Sequence, residues 1–289
     1  MRPRSSLRLA AACAAFAAAS AAAQGYTFKT VDIDRSDGTV VLAIDKSGAM
    51  LAVDLPPAGD AACWLLQGKA RTLIADPAGT ATSCGGRDKA GTIVGWYEAP
   101  GNVATGFTWR DGAFADFAVP GAPSGLLPLA ISESGAIAGY FYDDAGGAHV
   151  FTLKGQAFAS FQVAGMTNVF PVGINDSGLM TIQAFDAAGG LHALLRKGAR
   201  TIELAVPGAS ETIVERVNDK GQVVGSWFDA AGALHGFVYD ATTAAYASVD
   251  VPGAVATGLD GIDDAGTLVG DYVATPGGLR QGLKAVPAR

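Results

Sequence analysis

The sequence lacks the features by which membrane proteins and many enzymes are recognised. No segment after residue 23 approaches the ~20 consecutive apolar residues that a membrane-spanning helix needs, so we expect no membrane span. No Gly-x-Ser-x-Gly nucleophile motif occurs. No window predicts a long helix, because glycine and proline interrupt every alanine-rich stretch. We therefore expect an all-β protein with no recognisable catalytic residue and no cofactor.

Basic residues are also scarce. The chain has 20 Lys and Arg against 27 Asp and Glu, a net charge of −7. Three of the basic residues lie within the first 23 positions, which leaves 17 against 27, or −10, for the rest. This balance argues against nucleic acid and anionic membranes as partners. We expect a monomer whose partner is an unidentified protein or glycan.

The first 23 residues have the organisation of a secretory signal peptide. Arginines precede an apolar stretch at Leu9–Ala19, and Ala21–Ala23 form a small-residue cleavage site before Gln24. A lipoprotein signal ending at Cys13 is the alternative. We therefore predict a secreted or periplasmic protein whose single domain covers residues 24–289.

Cysteines are few, and removal of the signal leaves only Cys63 and Cys84. An even number in an oxidising compartment predicts a disulfide bond. Two separate buried thiols are the alternative. A redox role would need an exposed cysteine of low pKa, usually in a tight pair, and a separation of 21 residues does not suggest one.

What the sequence does contain is a pentapeptide that recurs six times. Asp, Asn or Ser opens each copy, where its side chain can cap the local backbone, and glycine closes it, where positive φ is needed. The anchor glycines lie 43 to 45 residues apart, at Gly48, Gly91, Gly135, Gly178, Gly221 and Gly266. This chemistry predicts a tight turn between two strands in every copy.

Each period of about 43 residues holds four short runs rich in β-branched and aromatic residues, separated by Gly, Pro or Asp. Four strands per repeat predict a six-bladed β-propeller; an open β-solenoid is the alternative. The sixth repeat stops after its third run, Gly278–Ala285, whereas Phe28–Asp34 resembles the fourth runs of other repeats. We therefore predict that this N-terminal strand completes the last blade and closes the ring.

The pattern Ile-Asn-Asp-x-Gly-Gln-Val-Val-Gly, then His-Gly-Phe, then Val-Asp-Val-Pro-Gly-Ala is best preserved at residues 217–254. It resembles the HAF family of probable extracellular repeats. The similarity extends over nearly all of the chain after the signal, although repeats one and six are degenerate. The resemblance implies export and a repeat fold, and it implies no defined activity.

The three histidines occupy one repeat position, at the start of third strands: His149, His192 and His235. Equivalent points in adjacent blades lie over ~10 Å apart, whereas zinc needs each nitrogen at ~2 Å, so we predict a hydrogen-bonding role within each blade and no metal site. The Asx turns lack the alternating carboxylates of a calcium loop.

Aromatic and acidic side chains are the remaining candidates for a binding surface. We single out residues of the second strands and of the loops that follow them: Trp96, Tyr140, Trp227, Asp143, Asp186 and Asp229. Packing between blades is the simpler explanation of the aromatics, and solvated turns are the simpler explanation of the acids. With the Val-Pro-Gly corners, these loops would form one binding face.

The leading hypothesis is an exported, non-catalytic propeller scaffold that binds protein or glycan. The alternatives are a carbohydrate-active hydrolase or lyase, because carboxylates from different blades can converge in a propeller channel, and a purely structural component of the cell surface or matrix.

Overall fold

The computed structural model describes residues 25–33, 38–56, 62–79, 81–101, 103–122 and 125–288. Within these ranges the chain forms only β-strands, arranged as six antiparallel sheets of four strands each. The described residues include no helix that is long and apolar enough to cross a membrane. The predicted signal peptide and its cleavage site lie outside the described residues.

The sheets are six blades, and in each blade we name the strands A to D from the innermost to the outermost. Strand β1 (Tyr26–Val31) is strand D of blade 6. Blades 1 and 2 comprise β2 (Thr39–Ile44), β3 (Met50–Asp54), β4 (Cys63–Gln67), β5 (Ala70–Ile74), and then β6 (Thr82–Arg87), β7 (Ile93–Ala99), β8 (Val103–Arg110), β9 (Ala113–Asp116). Blades 3 and 4 comprise β10 (Leu126–Ile131), β11 (Ile137–Tyr142), β12 (Ala148–Lys154), β13 (Ala157–Phe161), and then β14 (Met166–Ile174), β15 (Leu179–Asp186), β16 (Leu191–Lys197), β17 (Arg200–Glu203). Blade 5 and the rest of blade 6 comprise β18 (Glu211–Val217), β19 (Gln222–Phe228), β20 (Leu234–Asp240), β21 (Ala245–Val249), and then β22 (Ala256–Ile262), β23 (Leu268–Val273), β24 (Arg280–Pro287).

The six A strands contact one another in sequence around a closed ring, and β2 completes it by contacting β22. The prediction of a six-bladed propeller is therefore confirmed. One face of the ring carries the A–B and C–D turns, and we call it the A–B face. The opposite face, the B–C face, carries the B–C loops and the corners that lead into the next blade.

The recurring pentapeptide forms the A–B turns, as predicted. In blade 1 the amide of Gly48 donates to the carbonyl of Asp45 over 2.9 Å, and the Asp45 carboxylate accepts from the amides of Ser47 and Ala49 at 2.8 and 3.0 Å. Gly48 has a φ of 81°, in the left-handed region that glycine tolerates best. A local sequence signal thus determines where strand A of each blade turns into strand B.

Inside a blade, the Val-Val-Gly pattern of strand B places glycine beneath an aromatic ring of strand C. Gly225 is paired directly with Phe237, which is fully buried, and Gly95 is paired in the same way with buried Phe107. A side chain on Gly225 would start only 2.0 Å from the carbonyl oxygen of Ile213 in strand A. The glycine therefore lets the ring and the neighbouring strand pack closely.

Strand β1 closes the ring as predicted. It pairs antiparallel with β24 over six residue pairs, from Tyr26 opposite Pro287 to Val31 opposite Gly282. The strand spans residues 26–31, so it starts and ends slightly earlier than the predicted run, whose last residue, Asp34, lies outside the described ranges. Blade 6 is consequently built from both ends of the described chain, which covers the edge that β24 would otherwise expose.

The predicted disulfide is present. Cys63 in strand C of blade 1 is bonded to Cys84 in strand A of blade 2, with their Cα atoms 6.1 Å apart. Both cysteines are buried. The bond therefore ties two adjacent blades together near the start of the ring, and it is consistent with an oxidising, extracytoplasmic compartment.

Candidate functional site

The aromatic residues singled out from the sequence lie in strand B of three different blades and do not come together. Tyr140 is 9% exposed, and its ring lies edge-on to Phe170 of blade 4 at a centroid distance of 5.0 Å. Burial raises the pKa of Tyr140 to about 12. Trp96 is half-buried in blade 2, and half-buried Trp227 stacks on His235 at 4.7 Å. That they form a binding surface stays a prediction.

The three aspartates singled out from the sequence cap their own B–C loops. Asp186 accepts from the amides of Ala188 and Gly190, each at 2.8 Å. The bond from Gly190 is the main cause of the lowered pKa of Asp186, followed by the bond with His192. Asp143 and Asp229 make the equivalent contacts in blades 3 and 5. These carboxylates are accordingly held by the loop backbone.

Each histidine lies against the aspartate of its own blade, in agreement with the predicted hydrogen-bonding role. His192 has a carboxylate at both ring nitrogens: Nδ1 is 2.9 Å from Glu203 Oε1, and Nε2 is 3.3 Å from Asp186 Oδ2. Hydrogen bonding first to Glu203 and then to Asp186 raises the pKa of His192. The described ranges contain no cluster of three His, Cys, Asp or Glu side chains suited to a metal ion.

On the A–B face, the A–B turns of all six blades surround the mouth of the central channel, a cavity of about 60 Å³. Carboxylates link neighbouring turns. Asp176 accepts from the amide of Ser134 at 2.7 Å, and Asp219 accepts from the amide of Asp176 at 2.8 Å. Asp264 accepts from the amide of Asp219 at 2.8 Å and forms an ion pair of 2.8 Å with Lys46 of blade 1. These acidic side chains therefore bind the blades to one another.

Farther along the channel, every A strand carries a β-bulge. In five blades the bulge beside the channel consists of one unpaired residue, which is small, apolar or acidic. In blade 5 the bulge consists of two charged residues, Glu215 and Arg216. The Arg216 guanidinium crosses to blades 2 and 3, where it donates to the carbonyls of Gly85 and of Leu129, the latter at 3.3 Å. Arg216 thus spans the channel.

Two carboxylates accompany Arg216. Burial raises the pKa of Glu215 to about 7, although Arg216 and a 2.9 Å hydrogen bond from Gln183 oppose the rise. Burial, and then the charge of Glu215, raise the pKa of Asp260 well above its ordinary value. The mouth cavity is lined by Arg216 and by neither carboxylate. The channel therefore holds half-buried ionisable side chains with perturbed pKa values.

Two larger depressions lie between blades on the A–B face. Groove I, between blades 3 and 4, has a volume of about 530 Å³. Its apolar lining includes Phe158, Phe161 and Met180, and its polar lining includes Lys154 and Arg196. The Arg196 guanidinium lies 4.0 Å from the centre of the Phe161 ring, a cation–π contact between the two blades.

Groove II lies one blade farther round, between blades 4 and 5, with a volume of about 620 Å³. It combines an apolar part formed by Leu195 and Ile202 with the side chains of Lys197, Arg200 and Lys220. Asn175 and Ser177 of blade 4 line both grooves, so the two are contiguous. An apolar surface with a rim of hydrogen-bonding and cationic groups is suited to a polar, partly hydrophobic ligand such as a sugar.

Sequence reasoning missed both grooves, and it considered carboxylates in the channel without identifying Glu215, Arg216 or Asp260. It placed the binding face on the B–C loops, whereas the two grooves open on the A–B face. Groove residues from neighbouring blades are widely separated in sequence, as Phe161 and Arg196 are. The channel charges had a readable signal, because Glu215 and Arg216 stand where the first repeat has Leu42 and Ala43.

No protein-family model and no curated protein matches the chain. Several solved structures share its fold. The Aleuria aurantia lectin, in complex with Fucα1-6GlcNAc, superposes with a TM-score of 0.52 at 12% identity, over 90% of this chain and 98% of the lectin. The SapL1 lectin, in complex with α-methyl fucoside, gives 0.54 at 9% identity over 88% and 94%. TolB from Acinetobacter baumannii gives 0.56 at 10% identity over 87% and 64%. At such identities these similarities establish the fold alone.

Proposed function

We propose that the protein is a non-catalytic, carbohydrate-binding propeller that holds glycans in grooves I and II. The observation that carries the proposal is the repetition of one design in adjacent blade junctions. In both grooves an apolar surface is bordered by cationic and hydroxyl-bearing side chains. A sugar ring presents an apolar face and a polar edge, which match such a lining.

Two further observations support a glycan as the ligand. Two lectins share this fold over nearly the full length of both chains. Their structures were solved in complex with fucosides. Moreover, two contiguous grooves can engage two residues of one polysaccharide, so that modest affinity at each groove adds up through avidity.

The test is a glycan array followed by calorimetry on the purified protein and on two variants. Ala159 is exposed on strand D of blade 3 and lines groove I. Ala159→Trp fills the groove and should abolish or strongly weaken binding there. Ala115 holds the equivalent exposed position in blade 2, outside both grooves, so Ala115→Trp is the matched control and should bind as the wild type does. A blank array, or equal loss in both variants, would refute the proposal.

We further propose that the chain is exported by a cleaved signal peptide and belongs among HAF-type extracellular repeats. The Cys63–Cys84 disulfide supports an oxidising compartment. N-terminal sequencing of the protein recovered from the producing cell should give a chain that starts near Gln24. A chain that retains residues 1–23, or a lipidated Cys13, would contradict this proposal.

Polysaccharide hydrolysis is a second candidate, favoured by one observation. Glu215 and Asp260 lie in the bulges of adjacent A strands, and the pKa of Glu215, raised to about 7, is the one that a general acid needs at neutral pH. A substrate would have to reach them past Arg216, because neither carboxylate lines the mouth cavity. Turnover of a polysaccharide panel by the wild type, lost in Glu215→Gln, would support catalysis. Absence of turnover with intact glycan binding would leave the scaffold function.

A further inference from the structure

We propose that grooves I and II select an anionic polysaccharide, one bearing uronic-acid carboxylates, over neutral glycans. This inference rests on the proposed glycan-binding function and adds the chemical class of the ligand. It starts from charge: the chain is acidic, with 27 acidic and 20 basic residues, whereas the linings of these two grooves contain more basic than acidic side chains. Five basic side chains line them: Lys154, Arg196, Lys197, Arg200 and Lys220.

The carboxylates in the same grooves are fewer than the cations and form no ion pair with them. Asp176 and Asp219 are the acidic residues of the two linings. Each accepts a backbone amide of the preceding blade, and Asp219 also lies 3.5 Å from Lys46 at the channel mouth. Both carboxylates are thus engaged in joining the A–B turns.

The five cations have no acidic partner within the described residues. Lys154 and Lys197 reach only serine hydroxyls, Ser134 at 2.9 Å and Ser177 at 3.4 Å. Neither Arg200 nor Lys220 forms an ion pair there. Outside the grooves, Lys46 is paired with Asp264, whereas Lys69 and Arg71 form no ion pair among the described residues. The grooves differ in gathering five such cations beside an apolar surface.

Arg196 is the best oriented of these groups. Its guanidinium is held over the Phe161 ring at 4.0 Å and donates to Thr201 Oγ1 at 2.9 Å. A fixed guanidinium retains further N–H donors, and its planar fork matches a carboxylate in two parallel hydrogen bonds. An arginine stacked on an aromatic ring beside a sugar-sized groove is suited to a uronate ring, whose apolar face and carboxylate would be recognised together.

The continuity of the grooves favours a polymer over a single sugar. Ser177 lines both, so one chain can cross blade 4 and place a carboxylate in each groove. Lys154 and Lys197 occupy the same repeat position, 43 residues apart, so each groove has a lysine in the same place. The carboxylates of a polyuronate also recur at a regular spacing, and they can therefore meet both lysines. A nucleic acid also carries regularly spaced charge, and its binding is one outcome of the test.

The test measures the affinity of the purified protein for an oligogalacturonate and for the same oligomer with its carboxylates methyl-esterified. We expect the charged oligomer to bind more tightly, with affinity falling as salt is raised. The double variant Arg200→Gln, Lys220→Gln removes two exposed cations of groove II and should weaken binding about five- to tenfold at low salt. Lys69→Gln, Arg71→Gln in blade 1 makes the same charge change outside both grooves and should have no effect.

Equal affinity for the charged and the esterified oligomer, with the two double variants indistinguishable, would overturn the anionic selectivity while leaving glycan binding intact. Binding of neither oligomer, together with a blank glycan array, would instead refute the proposed function itself. Equal affinity for single-stranded DNA of matched length would also overturn the inference, because it would show a non-specific response to polyanions.

Discussion

The buried channel charges predict an unusual dependence of stability on pH. The pKa of Glu215 is raised from its ordinary value of 4.5 to about 7. The folded state therefore holds this proton more tightly than the unfolded state does. As a result, the contribution of Glu215 to the free energy of unfolding is largest below pH 4.5. That stability is lost as the pH rises through about 7. This shift in pKa corresponds to a loss of at most about 3 kcal/mol in the free energy of unfolding.

Glu215→Gln isolates this effect. The amide keeps an oxygen that can accept the hydrogen bond from Gln183, so the variant removes the charge and leaves this contact in place. Urea unfolding at pH 4 should give nearly equal free energies for the wild type and the variant, since Glu215 is mostly protonated there in both the folded and the unfolded chain. At pH 8 the variant should be the more stable by about 1–3 kcal/mol, because it no longer buries a charge.

The matched control is Glu211→Gln, which makes the same change at an exposed position of strand β18. It should follow the wild type at both pH values. If Glu215→Gln also follows the wild type at pH 8, or is destabilised there, then burial does not dominate the electrostatics of Glu215 and its pKa is not raised in the folded protein.

Three further predictions concern the scaffold. Cys63→Ala with Cys84→Ala should lower the free energy of unfolding by about 3 kcal/mol, by releasing a 21-residue loop, and reduced wild type should match it; a wild type indifferent to reductant would contradict this. NMR titration of His192 should give a midpoint above 6.5, and Glu203→Gln should lower it; a midpoint at or below 6.5 would count against the paired carboxylates. Deletion of residues 25–31 should expose the edge of β24 and cause self-association on size-exclusion chromatography, whereas a monomeric deletion variant of unchanged stability would disprove closure by β1.

The fold could be predicted because its information is local and repeated. Each A–B turn needs an Asx cap and a glycine of positive φ, as Asp45 and Gly48 illustrate, and both are legible in a short stretch of sequence. The closing strand could be inferred because a ring of six requires a fourth strand in blade 6. A structural role could be predicted for the histidines because their regular spacing places each of them in a different blade.

The grooves could not be predicted, because a repeat pattern does not show which side chains meet across a blade junction. Arg196 reaches Phe161 over the boundary between blades 3 and 4. Arg216 reaches Gly85 from the far side of the ring, 131 residues away in the chain. The sequence shows that Arg196 and Arg216 depart from the other repeats. It does not show their partners, which depend on how the blades meet in the closed ring.

The most direct test of the central claim is a crystal structure of the protein soaked with the tightest-binding oligosaccharide from the array. We predict electron density for sugar in groove I or II, in contact with Arg196 or with Lys197 and Arg200. Density confined to the B–C face, around Trp96 or Trp227, would contradict the assignment of the site to the blade junctions of the A–B face.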